Sequence, residues 1–395
     1  MRSSGRHFLQ LPGPTNVPLS VLAAIAQPTV DHRGPDFPAL TFAVVEGMKA
    51  VFKTAAHVVI YPASGTGAWE AALVNAFSPG DTVLMAETGH FSTLWKTMAA
   101  RLGLQVEFLP GDWRGGADLA AIEARLSDDR GHKIKAVAVV HNETSTGAVS
   151  DVAGVRRALD SATHPALLMV DTISSLASID YRHDEWRVDV TVGGSQKGLM
   201  LPPGLSFNAI SEKALQAARS ARLPRVFWDW EDMISMNSKG YFPYTPATNM
   251  LQGLKVALEM LQEEGLSAVF ARHDRAAEAT RACVRHWGLR VWCAQPSDYS
   301  SSLTAVQVPE GFSADTLRST ILAQSSVSLG NGLGRLADRV FRIGHLGDFN
   351  DATTLATLAS VERGLLSADI PVQAGGVGAA IASLSKQGLS AIAAE

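Results

Sequence analysis

Lys197 stands in Ser195-Gln196-Lys197-Gly198, just after two glycines, Gly193 and Gly194, that close an apolar run. A lysine at a strand end becomes a nucleophile when its pKa is lowered, and such lysines form Schiff bases. The plain alternative is a solvated lysine in a turn. Asp171 closes a second apolar run, residues 166–170. That position lies at the carboxyl edge of a sheet, where α/β enzymes bind ligands. Lysine and aspartate together suit pyridoxal phosphate (PLP), whose pyridine nitrogen needs a carboxylate to stay protonated and make the ring an electron sink. A helix N-cap is the other common use of such an Asp.

Four further places could serve a site. Ser64-Gly65-Thr66-Gly67 separates a strand-like run from a helix-like one. Small residues there let backbone N–H groups close on a phosphate at a helix N-terminus. No Gly-Lys-Ser/Thr follows, so it is no Walker motif, and a plain turn remains the alternative. His141-Asn142-Glu143-Thr144 also follows an apolar run. A metal would want His141 with Glu143, but no H-E-x-x-H or H-x-E…P-C-x-x-C pattern accompanies them. Trp95 could stack on an aromatic ring, or simply pack in the core. Arg342 lies between apolar neighbours and needs an anion, either a substrate carboxylate or a structural partner.

These residues need a sheet to gather them. Apolar runs read as strands at residues 58–61, 82–85, 105–108, 136–141, 166–170 and 188–192. Helical patterns alternate with them at 38–54, 68–76, 91–101, 119–126 and 152–161. Nearly continuous Val, Ile, Leu and Ala suits a mostly parallel sheet covered on both faces, an α/β fold. Beyond residue 211 the pattern changes. Residues 211–222 read as a helix, 226–246 as aromatic and turn-rich, and 248–263 and 266–287 as long helices. Strands at 303–308 and 340–343, with helices at 315–322 and 352–365, fit a smaller α+β unit, and a helical stretch at 377–384 follows. The expected division is an arm over 1–20, a large cofactor-binding domain over 21–250, and a connecting helix with a small domain over 251–395.

Composition agrees. With 395 residues the chain exceeds one compact core, which stops growing at about 250–300 residues. A net charge of -4 gives no field for nucleic acid. The two cysteines, Cys283 and Cys293, support neither a disulfide framework nor a four-Cys zinc site, which suits a reducing cytoplasm. Residues 1–11 show no sustained apolar run, so no signal peptide is expected, and no stretch has the ~20 apolar residues of a membrane helix.

Nine short pieces, in order, then carry a resemblance. They are Pro12-Gly13-Pro14-Thr15-Asn16, Asp31-His32-Arg33, Ser64-Gly65-Thr66-Gly67, His141 through Gly147, Val170-Asp171, Gly194-Ser195-Gln196-Lys197-Gly198, Pro202-Pro203-Gly204, Tyr244-Thr245-Pro246, and Val340-Phe341-Arg342-Ile343-Gly344. Each is weak alone; their joint order over nearly the whole chain is not. The sequence resembles the class V, fold type I aminotransferases, in the serine–glyoxylate and alanine–glyoxylate branch.

The resemblance implies roles. Lys197 would be the Schiff-base lysine and Asp171 the partner of the pyridine nitrogen. Trp95 and Ile173 would cover opposite faces of the ring, with Thr144 near its phenolic side. Ser64, Gly65, Thr66 and Gln196 would hold the phosphate, joined by Thr245 from a neighbouring subunit of a homodimer. Phe242 stands where the family often has Tyr, leaving Tyr241 and Tyr244 as nearby hydroxyls. Arg342 would clamp the α-carboxylate, with Asn16 beside the substrate. The implied reaction is ping-pong transamination through pyridoxamine phosphate, from serine first, or alanine or aspartate, to glyoxylate. A desulfurase or lyase of the same fold is the rival, and would need a mobile nucleophilic Cys.

Overall fold

The computed structural model describes residues 5–392, so residues 1–4, the head of the expected arm, and 393–395 lie outside the described residues. The first strand, β1 (Phe8–Gln10), belongs to the smaller of two main sheets. Then come β2 (His57–Tyr61), β3 (Thr82–Ala86), β4 (Gln105–Leu109) and β5 (Ile134–Val140). A small hairpin, β6 (Asn142–Glu143) and β7 (Ala148–Val149), precedes β8 (Leu167–Asp171), β9 (Val190–Gly194) and β10 (Ser206–Ile210). The larger sheet has the order β2-β10-β9-β8-β5-β3-β4. Its strands all run one way except β10, which is antiparallel to both neighbours.

The apolar runs explain this sheet. In β5 only Lys135 is exposed, and β8 and β9 are buried throughout. Helices cover the faces, so both sides of each strand lose water. Fully burying one Val or Leu contributes about 1.5–3 kcal/mol. Asp118 and Asp151 start two of the helices by accepting the backbone N–H of Ala121 and Gly154. Each such cap stabilises by about 1 kcal/mol.

The smaller sheet combines β1 with β11 (Arg290–Val291), β12 (Leu303–Gln307), β13 (Val327–Asn331) and β14 (Val340–Gly344), in the order β1-β13-β14-β12-β11. It has its own apolar cluster, including Phe341, Ile343, Leu317 and Val361. Helix Thr248–Glu264 packs on Leu19–Ile25 and Phe37–Phe52, and its buried leucines join the larger cluster. Among the described residues no helix is long and apolar enough to cross a membrane.

Several elements differ from the sequence reading. The helix expected from Ala68 begins at Gly65, so the Gly-rich stretch is its first turn. The turn-rich stretch contains a helix, Trp230–Asn237, capped by Asp229. Strand β1, within the expected arm over 1–20, and β10, β13 and helix Leu19–Ile25 escaped the reading.

The arm is pinned at both ends of its path. Gln10 Nε2 donates to Gly344 O at 2.8 Å, while Thr15 N donates to Gln196 O at 3.3 Å. A Cβ on Gly344 would lie 2.0 Å from Leu11 O, a backbone atom. Gly344→Ala should therefore detach the arm and destabilise the fold by about 1–3 kcal/mol. Thermal unfolding, with limited proteolysis of the arm, checks this; a wild-type melting point and intact arm would contradict it.

Candidate active site

The carboxyl ends of β2, β5, β8 and β9 share one edge of the larger sheet, because those strands run parallel. The loops leaving them bring Gly65, Thr144, Asp171 and Lys197 to that edge. Arg342 arrives from β14 of the smaller sheet, and its Nη1 donates to Thr144 O at 2.8 Å.

Three charged side chains are buried here: Lys197 is 7% exposed, Asp171 4% and Arg342 6%. Burial lowers the Lys197 amine to about 7, and the Arg342 guanidinium adds to that, while Asp171 opposes it. Burial raises Asp171 to about 7; the Ile173 N–H resists the rise and Glu143 reinforces it. Asp171 Oδ1 accepts the Ile173 N–H at 2.7 Å. Lys197 Nζ donates to Pro12 O, and Gly13 lies so close that a Cβ would fall 2.3 Å from Lys197 Cδ.

Arg342 is the least compensated of the three. Its Nε donates to Asn331 O at 2.8 Å and Nη1 to Thr144 O, both neutral carbonyls. No ion pair engages it among the described residues. Burial lowers its pKa to about 10, and Glu143 is the carboxylate that resists this. A buried cation without a bonded anion is costly, and a carboxylate ligand would relieve it.

Glycine opens the floor of the site. A Cβ at Gly65 would meet Ile173 Cδ1 at 2.3 Å, and one at Gly194 would meet Gln196 Oε1 at 3.2 Å and Ile173 Cγ2 at 3.3 Å. Gln196 Oε1 is buried with no partner. Ser64 begins the helix but its side chain caps no N–H, which leaves that end free for an anion.

Two residues from the sequence reading are engaged elsewhere. Trp95 is fully buried and stacks on Trp69, with ring centroids 5.8 Å apart, so it packs the core. Phe91, one turn earlier, stays partly exposed. Asn16 spends its amide on the arm: Oδ1 accepts Leu9 N at 3.1 Å and Nδ2 donates to Leu9 O at 3.2 Å. Phe242 is buried edge-on against Phe37 at 6.3 Å. Tyr244 stacks on Phe227 at 4.1 Å, with its hydroxyl buried and unpartnered. Thr245 is exposed on this chain.

Glu143, weighed above as half of a metal pair, is a helix anchor. It accepts Ser92 N at 3.1 Å, Phe91 N at 3.3 Å and Ser145 Oγ at 2.6 Å. The helix it anchors, through Phe91 and Ser92, lies more than fifty residues away, so no local pattern announced it. Pro12 and Gly13 against Lys197 were equally unreadable as contacts, although their motif was noticed.

Comparison with known proteins now decides the family. The class-V aminotransferase family model matches residues 7–334. The chain belongs to the class-V aminotransferases. It is 47% identical to the L-aspartate–glyoxylate aminotransferase of Paracoccus denitrificans, over 94% of this chain and 94% of that protein. It is 46% identical to the serine–glyoxylate aminotransferase of Methylorubrum extorquens, over 98% of each. Among solved structures, pyridoxamine–pyruvate aminotransferase of Mesorhizobium loti superposes with a TM-score of 0.90 at 27% identity, covering 98% of this chain and 99% of that one.

The cofactor of this family is pyridoxal phosphate, and the residues present fit it. The buried amine, the buried carboxyl lacking a cationic hydrogen-bond donor, the glycine-lined floor and the unpartnered Gln196 oxygen are what an aldehyde, a pyridine nitrogen and a phosphate require.

The like charge of Arg342 has a measurable consequence. In cofactor-free protein, Lys197 should titrate near pH 7, and Arg342→Gln should move that titration upward, because a cation that disfavours the ammonium is gone. Reductive ¹³C-methylation followed by NMR titration of the lysine signals reads this directly. A downward shift would overturn the account.

Proposed function

We propose that this aminotransferase moves the amino group of a small L-amino acid, serine first, to glyoxylate, giving glycine and, from serine, hydroxypyruvate. The observation that carries the reading is Arg342. It is a buried guanidinium bonded to two carbonyls, beside a buried amine of lowered pKa. Every amino donor and keto acceptor of such a reaction carries an α-carboxylate, which Arg342 can bind bidentately. The names of the serine–glyoxylate and aspartate–glyoxylate relatives support glyoxylate as acceptor.

When bound, pyridoxal phosphate supplies an aldehyde that exchanges amino groups and a protonated ring that draws electrons from the α-carbon. Lys197 holds the cofactor through Nζ. Its amine, lowered to about 7, would serve as general base for the α-proton and then as the acid that returns it. Asp171 holds the proton on the pyridine nitrogen. Ser64, Gly65, Thr66 and Gln196 bind the phosphate. Thr144 would lie at the cofactor's phenolic side and Ile173 would cover one ring face. The opposite face would fall to Phe91, since Trp95 is enclosed in the core.

The second subunit belongs to the same proposal. Val226 is 88% exposed and Phe227 43%, beside exposed Thr245. A second copy covering this apolar loop would bring Thr245 to the partner's phosphate site. Two unpaired cysteines support a cytoplasmic setting. The same cysteines argue against desulfurase chemistry. Both are buried, and burial pushes the Cys283 thiol up to about 12 and Cys293 to about 11, far from a thiolate nucleophile.

Aspartate is the second donor to consider, because a relative with 47% identity is named for it. Arg33, exposed, would be a candidate partner for its side-chain carboxylate. Serine, alanine or aspartate added singly to the holoenzyme should bleach the visible cofactor band with the true donor, and glyoxylate should restore it. A purified protein with no such band after added PLP would refute the proposal. Asp171→Asn should keep the cofactor through its phosphate contacts yet lower kcat by about two to three powers of ten. Wild-type kcat in that variant would remove Asp171 from the chemistry.

A further inference from the structure

Asn142 is fully enclosed, and the reaction gives it no role. Its two amide hydrogens reach opposite sides of the boundary between the two sheets. Nδ2 donates to Ser174 Oγ at 2.8 Å and lies 3.3 Å from Ser174 O, on the larger side. It also donates to Ser302 Oγ at 2.8 Å, on the smaller side. The orientation of the amide follows from chemistry: the Ser174 carbonyl can only accept, so the NH2 must face it. That leaves Asn142 Oδ1 buried without a partner. A buried acceptor left unmet weakens the fold, so the amide is costly where it stands.

Both ends of the bridge lead to Arg342. Ser302 immediately precedes β12, which pairs with β14, and Ala305 lies opposite Arg342. Ser302 O also accepts the N–H of His345, three residues beyond Arg342. On the other side, Ser174 Oγ donates to Asn142 O at 2.9 Å and accepts Thr144 Oγ1 at 2.7 Å. Thr144 O is one of the two carbonyls that hold the Arg342 guanidinium. The ring of contacts closes as Arg342, Thr144, Ser174, Asn142, Ser302 and β12 back to β14.

We propose that Asn142 is a positioning residue for the substrate carboxylate: its amide ties the strand pair carrying Arg342 to the loop carrying Thr144, fixing the guanidinium relative to Lys197. The inference rests on the reading of Arg342 as the carboxylate site. An unbraced strand pair would let the guanidinium drift from its place, and small displacements of a binding group are expensive. The loss should appear in carboxylate binding, because the amide itself touches no reacting atom.

The test uses glycolate, a small carboxylate with no amino or keto group, titrated calorimetrically into cofactor-free protein. Asn142→Ala, Asn142→Asp and Ser302→Ala should each weaken glycolate binding about tenfold, the scale of coupling within one hydrogen-bond network. Asn142→Asp keeps the size of the side chain but lacks the two N–H groups that reach both serines at once, so it serves if the alanine variant folds poorly. Asn142→Ala with Ser302→Ala should be no worse than the weaker single variant, since both cut the same tie. In the holoenzyme, KM for donor and for glyoxylate should rise by the same factor while kcat changes little. Unchanged glycolate affinity in the single variants, or losses that multiply in the double variant, would overturn the proposal. Arg342→Gln separates the two readings: if it binds glycolate normally, the carboxylate site itself is misassigned; if it alone loses binding, only the role of Asn142 fails.

Discussion

Removing water from Lys197, Asp171 and Arg342 is the constraint around which this molecule is arranged. In water the lysine would stay an ammonium and the aspartate a carboxylate at neutral pH. Enclosed at the sheet edge, both are drawn to about 7, where either protonation state is accessible. The two shifts share their largest cause, desolvation, and have opposite signs because the groups carry opposite charge. Arg342 does not give up its proton near neutral pH. It therefore remains a fixed positive charge that depresses the lysine and awaits an anion. A site built this way is unstable in itself and is held by the fold around it.

The fold supplies that support from widely separated segments. Parallel strands deliver Asp171 and the Lys197 loop to one edge. The smaller sheet brings Arg342, and the arm closes the site by crossing from β13 to Gln196. Glu143 shows the same economy: one buried carboxylate anchors the helix that begins at His90 and tempers the charge of Arg342. Such contacts span tens to hundreds of residues, so the site exists only once both sheets have formed.

This explains what the sequence made legible. Strands β2, β3, β5 and β8 are nearly continuous apolar runs because both faces are covered, and their reading needed no tertiary knowledge. By contrast, Ser-Phe-Asn-Ala-Ile of β10 mixes polar with apolar residues. Its Asn208 is satisfied by Tyr61, about 150 residues away, so nothing local marks it as an interior strand. Strands β1 and β13 pair across more than 300 residues, and a three-residue strand has no periodicity to read. At the site, Lys197, Asp171 and Arg342 were visible from residue type beside apolar runs. Trp95 and Asn16 were not separable by type: one satisfied the core and the other the arm, and only packing distinguishes these from a pocket wall.

The central claim is that Lys197, made nucleophilic by burial, carries the cofactor. Borohydride reduction of the holoenzyme followed by peptide mass mapping tests it most directly. The account predicts a single pyridoxyl adduct, on the peptide containing Lys197, and none after prior saturation with an amino donor. A stable adduct on another lysine, with Lys197 unmodified, would contradict it.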